Sequence, residues 1–261
     1  MRRKSARTSA SVPSGAYGFL RSVRLLRDKI PSFDEYPFSM PAVRTLEEMI
    51  FHRSVTYFVG ENGSGKSTLI EAIAQLAGFN AEGGSKNFQF SHQKTESQLP
   101  EFLRLVRSTV RERDGFFLRA ESFFNAATYL ETTGKDVLVH YGGRSLHEQS
   151  HGESFLALAQ HRFRGNSLFF LDEPEAALSP SRQLSFLAIM HRLVADGSQF
   201  VVATHSPILL AYPDAVIYQF GPDGIQQIDY EATEQFQITH DFLTGRERFL
   251  RVLLAPDGED D

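Results

Sequence analysis

Gly60-Glu61-Asn62-Gly63-Ser64-Gly65-Lys66-Ser67-Thr68 fits the spacing G-x-x-x-x-G-K-[ST], with Gly60, Gly65, Lys66 and Ser67 at the specified positions. Those residue types suit one task, the holding of a polyphosphate. Glycines let a loop wrap closely around a phosphate, with successive backbone N–H groups pointing inward. A lysine then reaches the β- and γ-phosphates, and a serine hydroxyl ligates Mg²⁺. Asn62, Gly63, Ser64 and Thr68 complete the binding stretch. A nucleoside triphosphate with Mg²⁺ is the ligand set expected.

Two further points along the chain carry groups that suit the same chemistry. Asp172-Glu173-Pro174 follows the apolar run Leu168-Phe169-Phe170-Leu171. Taken alone, an acidic pair at a strand end caps the following helix. Beside a phosphate loop, an Asp there holds Mg²⁺, usually through water. The next carboxylate, Glu173, then faces the γ-phosphate and polarises a water as general base. His205 closes the next apolar run, Gln199-Phe200-Val201-Val202-Ala203. A lone histidine is more often solvated or packed in a core. At the end of a parallel strand, where such folds bind ligands, its imidazole can hydrogen-bond the γ-phosphate or the attacking water. The predicted catalytic set is Lys66, Glu173 and His205, with Ser67 and Asp172 as metal ligands.

Bringing these groups together requires strand ends at one edge of a sheet. Ser54-Val55-Thr56-Tyr57-Phe58-Val59 precedes the loop and reads as a strand. Residues 68–77 are apolar at helical spacing and close at Gly78. Residues 167–171 and 199–203 read as buried strands of a parallel sheet, with a helix at 181–195 between them. Further strands are expected at 19–26 and 116–120, and helices at 121–131 and 152–162. A closing hairpin pairs 216–220 with 225–230 about Gly221-Pro222-Asp223-Gly224. Residues 79–98 read as a loop with a short strand near Phe88 and Phe90, and 102–110 is ambiguous between strand and helix. Pro31, Pro37 and Pro41 mark irregular structure. Phe33, Tyr36 and Phe38 lie within it, each able to stack on a base or pack in the core. A last helix is expected at 242–254.

The chain has 261 residues, 41% of them hydrophobic, which suits one large α/β domain with a real core. It has no cysteine, which rules out disulfides, zinc–thiolate sites and a thiol nucleophile, and fits a reducing cytoplasm. No apolar run approaches the roughly 20 residues that span a bilayer. The basic start lacks the apolar segment of a secretory signal. Arg2, Arg3, Lys4 and Arg7 sit among small residues, so 1–16 is expected to be a disordered basic tail. Residues 255–261 form an acidic tail. The net charge of −5 argues against a surface wholly given over to nucleic acid, and leaves room for a local basic patch.

In order and rough spacing, four segments together resemble the ABC-class ATPases. They are the 60–68 loop, Gln149-Ser150-His151-Gly152-Glu153, Leu171-Asp172-Glu173-Pro174 and Ala203-Thr204-His205-Ser206. The resemblance spans about residues 19–218 and is closest to small stand-alone ATPases related to the recombination-repair and chromosome-maintenance branch. It implies an α/β P-loop NTPase fold with a mostly parallel core sheet, an antiparallel β subdomain and a small helical lobe at about 121–165. All of this would lie in one ATPase domain over 17–254. The resemblance also implies ATP as the nucleotide and a head-to-tail homodimer that forms on ATP.

The segment at Ser150 is similar to a variant of Leu-Ser-Gly-Gly-Gln, whose serine and glycine grip the γ-phosphate bound by the opposite subunit. Ser150 and Gly152 match, whereas Gln149, His151 and Glu153 depart. Read without the family, the segment is a helix start, as well suited to an ordinary helix cap as to an anion held by a hydroxyl and N–H groups. Ser179 stands where the family often has an aspartate that couples the two sites. No glutamine loop is plain, and Glu121 stands at the expected place. The chain leaves no room for the long coiled coil of the repair enzymes or for an attached nuclease domain.

The expected activity is Mg²⁺-dependent ATP hydrolysis without a membrane span. It could serve DNA maintenance or defence, with DNA or a partner protein bound. It could instead drive a membrane transporter as its nucleotide-binding subunit, or belong to a small-molecule kinase. The Ser150 segment and His205 speak against the kinase, which needs no grip from a second subunit. Ser179 and the poor glutamine loop weigh mildly against the transporter, so DNA maintenance or defence is the expectation.

Overall fold

The computed structural model describes residues 18–81, 83–85, 97–119 and 151–255. The expected basic tail, the strand near Phe88 and Phe90, the helix at 121–131, Glu121, Ser150 and nearly all of the acidic tail lie outside the described residues.

Strands β1 (Leu20–Leu25), β2 (Glu48–Ile50) and β5 (Leu103–Arg107) form a small antiparallel sheet in the order β2-β1-β5. A larger sheet holds β3 (Val55–Gly60), β4 (Gly84–Ser85), β6 (Asp114–Arg119), β7 (Ser167–Asp172), β8 (Gln199–Ala203), β9 (Val216–Gly221) and β10 (Gly224–Ile228). Its order is β10-β9-β3-β8-β7-β6-β4. The five inner strands run parallel, and β10 and β4 are antiparallel edges. Both expected sheets are therefore present. The helices are α1 (Pro41–Arg44), α2 (Lys66–Leu76), α3 (His151–His161), α4 (Pro180–Ala195), α5 (Pro207–Leu210), α6 (Glu234–Thr244) and α7 (Arg246–Leu253).

Apolar runs become buried strands because both faces of the large sheet are covered. Along β3, Val55, Tyr57 and Val59 join a core with Phe155 of α3 and Phe186 of α4. Phe58, between them, joins the opposite core with Leu69, Ile70 and Ile73 of α2 and with Leu20 and Val23 of β1. The small sheet is keyed to the large one by a buried side chain. Gln199 Nε2 donates to the carbonyls of Leu20 (3.0 Å) and His52 (2.9 Å), and Oε1 accepts from the Leu20 N–H at 2.8 Å. Every polar atom of that amide is thus engaged, as burial requires.

Two expectations change. The ambiguous stretch at 102–110 is strand β5, because it pairs antiparallel with β1 from Leu103 to Arg107. The single last helix is instead two. Thr233 caps α6, its Oγ1 accepting from the Phe236 N–H at 3.2 Å, so helix starts well before 242. Gly245 then ends α6 and separates it from α7.

Candidate functional site

Strand order decides which residues meet. β8 lies between β3 and β7, and all three run in the same direction. Their carboxyl ends therefore share one edge, where parallel sheets present ligand sites. The 60–68 loop leaves β3, Asp172 ends β7, and Thr204-His205-Ser206 follows β8.

The loop is shaped by glycine where no other residue fits. Gly60 has φ 139°, and a Cβ there would lie 2.3 Å from the Phe220 carbonyl oxygen. Gly65, at φ 98°, stands at the N-cap of α2 and offers no side chain to the first-turn N–H groups. Those donors and the helix dipole face the loop, which suits an anion. Lys66 is 3% exposed. Its Nζ donates to the carbonyls of Gly60 (2.7 Å) and Glu61 (2.8 Å), leaving one of three ammonium protons for a ligand. Burial lowers the pKa of Lys66, and the neighbouring carboxylates of Glu173, Asp172 and Glu175 oppose that fall.

At the strand end, Ser67 Oγ donates to Asp172 Oδ1 at 3.1 Å. Asp172 is buried, and that burial pushes its carboxyl up to about 6 despite the hydrogen bond from Ser67 and the charge of Arg119. Glu173 adopts the left-handed conformation, φ 52° and ψ 52°. Such a backbone in a non-glycine residue costs on the order of 1–3 kcal/mol and collects at functional sites. It is held by the Glu173 N–H, which donates to the Ala203 carbonyl at 2.9 Å. The side chains of Glu173 and His205, 41% and 33% exposed, approach to 3.7 Å between Oε1 and Nε2.

Among the described residues, Ser64 Oγ and His205 Nε2 are buried polar atoms with no hydrogen-bond partner. Both belong to this constellation. An uncapped helix start, two orphaned polar atoms and a buried carboxylate beside a hydroxyl fit a Mg²⁺-bound polyphosphate. The hydroxyl–carboxylate pair is the hard-oxygen donor set that Mg²⁺ prefers.

Lys66, Ser67, Asp172, Glu173 and His205 are thus brought together with the 60–68 loop. Asn62 and Gly63 lie on the exposed part of the loop, and a Cβ on Gly63 would meet nothing within 4 Å. Gly152 sits in the first turn of α3, away from that cluster in its contacts. A Cβ there would come within 2.7 Å of the Ala177 carbonyl oxygen and the Arg182 guanidinium. Close packing therefore requires glycine at 152 within this one chain. Ser179 is the N-cap residue of α4, with its Oγ 3.2 Å from that of Ser181.

The three aromatic residues near the prolines take different roles. Phe38 is buried against Phe102, and Phe33 lies under the Arg27 guanidinium. Tyr36 is 66% exposed, with its hydroxyl 3.5 Å from Thr68 Oγ1. It is the one of the three beside the loop with a free ring. Sequence reasoning also passed over Glu175, which contacts Thr204 and His205. Its only signal was a third carboxylate just beyond Asp172-Glu173.

Residues 44–136 match a family model described as an AAA domain. Residues 140–211 match one described as "AAA domain, putative AbiEii toxin, Type IV TA system". The cytochrome c biogenesis ATP-binding export protein CcmA of Mesorhizobium japonicum is 32% identical over 168 residues, 57% of this chain and 77% of that protein. The macrolide export ATP-binding/permease protein MacB of Neisseria meningitidis (strain Z2491) is 26% identical over 182 residues, 61% of this chain. This chain spans only 27% of the length of that MacB. Among solved structures, a putative metal-chelate type ABC transporter in an inward-facing conformation is 16% identical, with a TM-score of 0.49. That match covers 85% of this chain and 88% of the other. Among the described residues, no helix is long and apolar enough to cross a membrane.

Proposed function

We propose that this chain, which belongs to the ABC-type P-loop ATPases, hydrolyses ATP with Mg²⁺ at the edge formed by β3, β7 and β8. The observation that carries the reading is the pairing of two contacts at that edge, Ser67 with Asp172 and Glu173 with His205. Lys66 and the loop N–H groups hold the β- and γ-phosphates. Ser67 and Asp172 hold Mg²⁺, which when bound neutralises charge on the phosphate oxygens. Glu173 takes a proton from the attacking water, and His205 Nε2 orients that water or the γ-phosphate. Tyr36, with its ring free beside Thr68, stacks on the adenine. Residues 17–254 act as a single ATPase domain.

ATP draws two copies together head to tail, the segment at Ser150 and Gly152 of each facing the γ-phosphate of the other. Hydrolysis removes that bridge and resets the pair. The process served is DNA maintenance or defence, and the description of the family model over 140–211, a putative toxin of a type IV TA system, favours the defence side. The second reading, a transporter's nucleotide-binding subunit, is favoured by the printed names of CcmA and MacB. ATPase assays on purified protein, with and without DNA and beside its mass in ATP, test both. Turnover stimulated by DNA with a steep salt dependence supports the first. Turnover indifferent to DNA, with co-purification of a membrane-spanning partner, supports the second. No turnover at all sinks the ATPase reading.

A further inference from the structure

The 3₁₀ turn after Glu173 carries a further carboxylate, Glu175, whose charge also reaches Lys66. Glu175 Oε2 accepts from Thr204 Oγ1 at 2.7 Å, and Oε1 accepts from the backbone N–H of His205 at 2.5 Å. The bonds continue on both sides. Thr204 Oγ1 accepts from the Ser206 N–H at 3.0 Å, and Ser206 Oγ donates to Gln183 Oε1 at 2.5 Å. Gln183 Nε2 then donates to the Leu178 carbonyl at 2.9 Å. Residues 204–206 are therefore tied, through side chains, to the connection between β7 and α4.

A carboxylate drawn partly out of water is a costly way to satisfy a hydroxyl and backbone N–H groups. Burial pushes the Glu175 carboxyl up, hydrogen bonds from the His205 N–H, the Thr204 hydroxyl and its own backbone N–H resist that rise, and the charge of Glu173 adds to it. Hydrogen bonds to an ionised acceptor are shorter and about twice as strong as neutral ones. They hold a backbone more firmly than an amide or hydroxyl would. The backbone held is that of His205, whose Nε2 is buried, unpartnered and 3.7 Å from the Glu173 carboxylate.

We infer that Glu175 is a positioning residue for hydrolysis: it clamps the His205 backbone so that the imidazole stays against Glu173, and so ties the β8 end to the turn that carries Glu173. The inference rests on the ATPase reading above and adds a residue to it. Glu175 touches no reacting atom. Its removal leaves the loop, Ser67 and Asp172 in place and takes away only the smallest of three carboxylate influences on Lys66, so ATP still binds while the imidazole drifts.

The test is a double-mutant cycle between Glu175→Ala and His205→Ala, read in kcat, KM and the affinity for a non-hydrolysable ATP analogue. Glu175→Ala is expected to lower kcat on the order of 10²-fold, the scale of a misplaced group, with KM and analogue affinity near wild type. In the His205→Ala background it is expected to add nothing, because the two act through one contact. Glu175→Gln, which keeps an acceptor for the His205 N–H, restores most of the rate. If Glu175→Ala does not fold, Thr204→Val takes its place in the cycle, with a smaller loss. Independently of turnover, the His205 amide proton resonates far downfield in the wild type and moves upfield in Glu175→Gln. Equal losses in the two backgrounds, or an unchanged kcat in Glu175→Ala, overturn the inference while leaving the ATPase standing. A wild type without turnover removes the ATPase reading, and this inference with it.

Discussion

The hydroxyl of Ser67 donates to the carboxylate of Asp172 across 3.1 Å, although 105 positions separate them in the chain. The contact exists because β8 sits between β3 and β7 and aligns their ends. One bond thus joins the phosphate loop to the acidic strand end, and four predictions hang on what surrounds it.

Lys66→Ala removes the buried ammonium and leaves the Gly60 and Glu61 carbonyls without their donor. A hydrogen bond to a charged group contributes about 1.5–3 kcal/mol, so nucleotide affinity should fall roughly 10- to 100-fold. Equilibrium titration with a fluorescent ATP analogue reads this. Unchanged affinity would remove the phosphate-loop assignment.

Glu173→Gln keeps the shape of the proposed base and removes its proton-accepting charge. Hydrolysis should drop by on the order of 10²–10⁴, the usual contribution of general base catalysis, while ATP binding persists. Light scattering should then show the variant accumulating as a dimer in ATP and Mg²⁺. A variant that stays monomeric under those conditions argues for a single-copy enzyme.

Asp172→Asn should make the metal-free protein more stable while abolishing its response to Mg²⁺. The folded-state pKa is raised from 3.8 to about 6, so the contribution of this group is most favourable at low pH. It is lost as pH rises through about 6, where a buried charge replaces a neutral acid. At pH 7.5 the ionised carboxylate costs about 2–3 kcal/mol at 1.36 kcal/mol per pKa unit, which the amide avoids. Thermal melts in EDTA should show a gain for the variant that shrinks between pH 7.5 and pH 5. A lower melting temperature for the variant at pH 7.5 contradicts this.

Tyr36→Ala should weaken ATP binding by the stacking contribution, about 1–3 kcal/mol for a base on an aromatic ring, and Tyr36→Phe should not. The comparison is made in KM for ATP, with kcat as control. Equal losses in the two variants would point to the hydroxyl near Thr68 instead of the ring.

The parts of the site that could be read along the chain are those whose geometry is local. The loop needs Gly60 because its backbone angle and the Phe220 carbonyl leave no space for a Cβ, and Gly65 because of its positive φ, and such needs show in spacing. Asp172, Glu173 and His205 were visible because each ends an apolar run, and runs of that kind become inner parallel strands. Strand β5 was not legible, since only its pairing with β1 separates it from a helix. The start of α6 was not legible, since Thr233 shows itself as a cap only where its Oγ1 accepts from the Phe236 N–H.

Glu175 and Tyr36 mark the boundary most plainly. In the chain, Glu175 is one more acid after an acidic pair, and Tyr36 is one aromatic among three. Their roles come from neighbours 30 and 32 positions away, His205 and Thr68, which reach them through strand order and packing. Residue order alone was enough for a glycine loop between strand and helix, a parallel sheet and the acids at its edge, because these follow from local backbone geometry and from apolar periodicity. Which acid clamps the histidine, and which ring lies open beside the loop, was left to the folded arrangement, because only long-range packing fixes what a side chain touches.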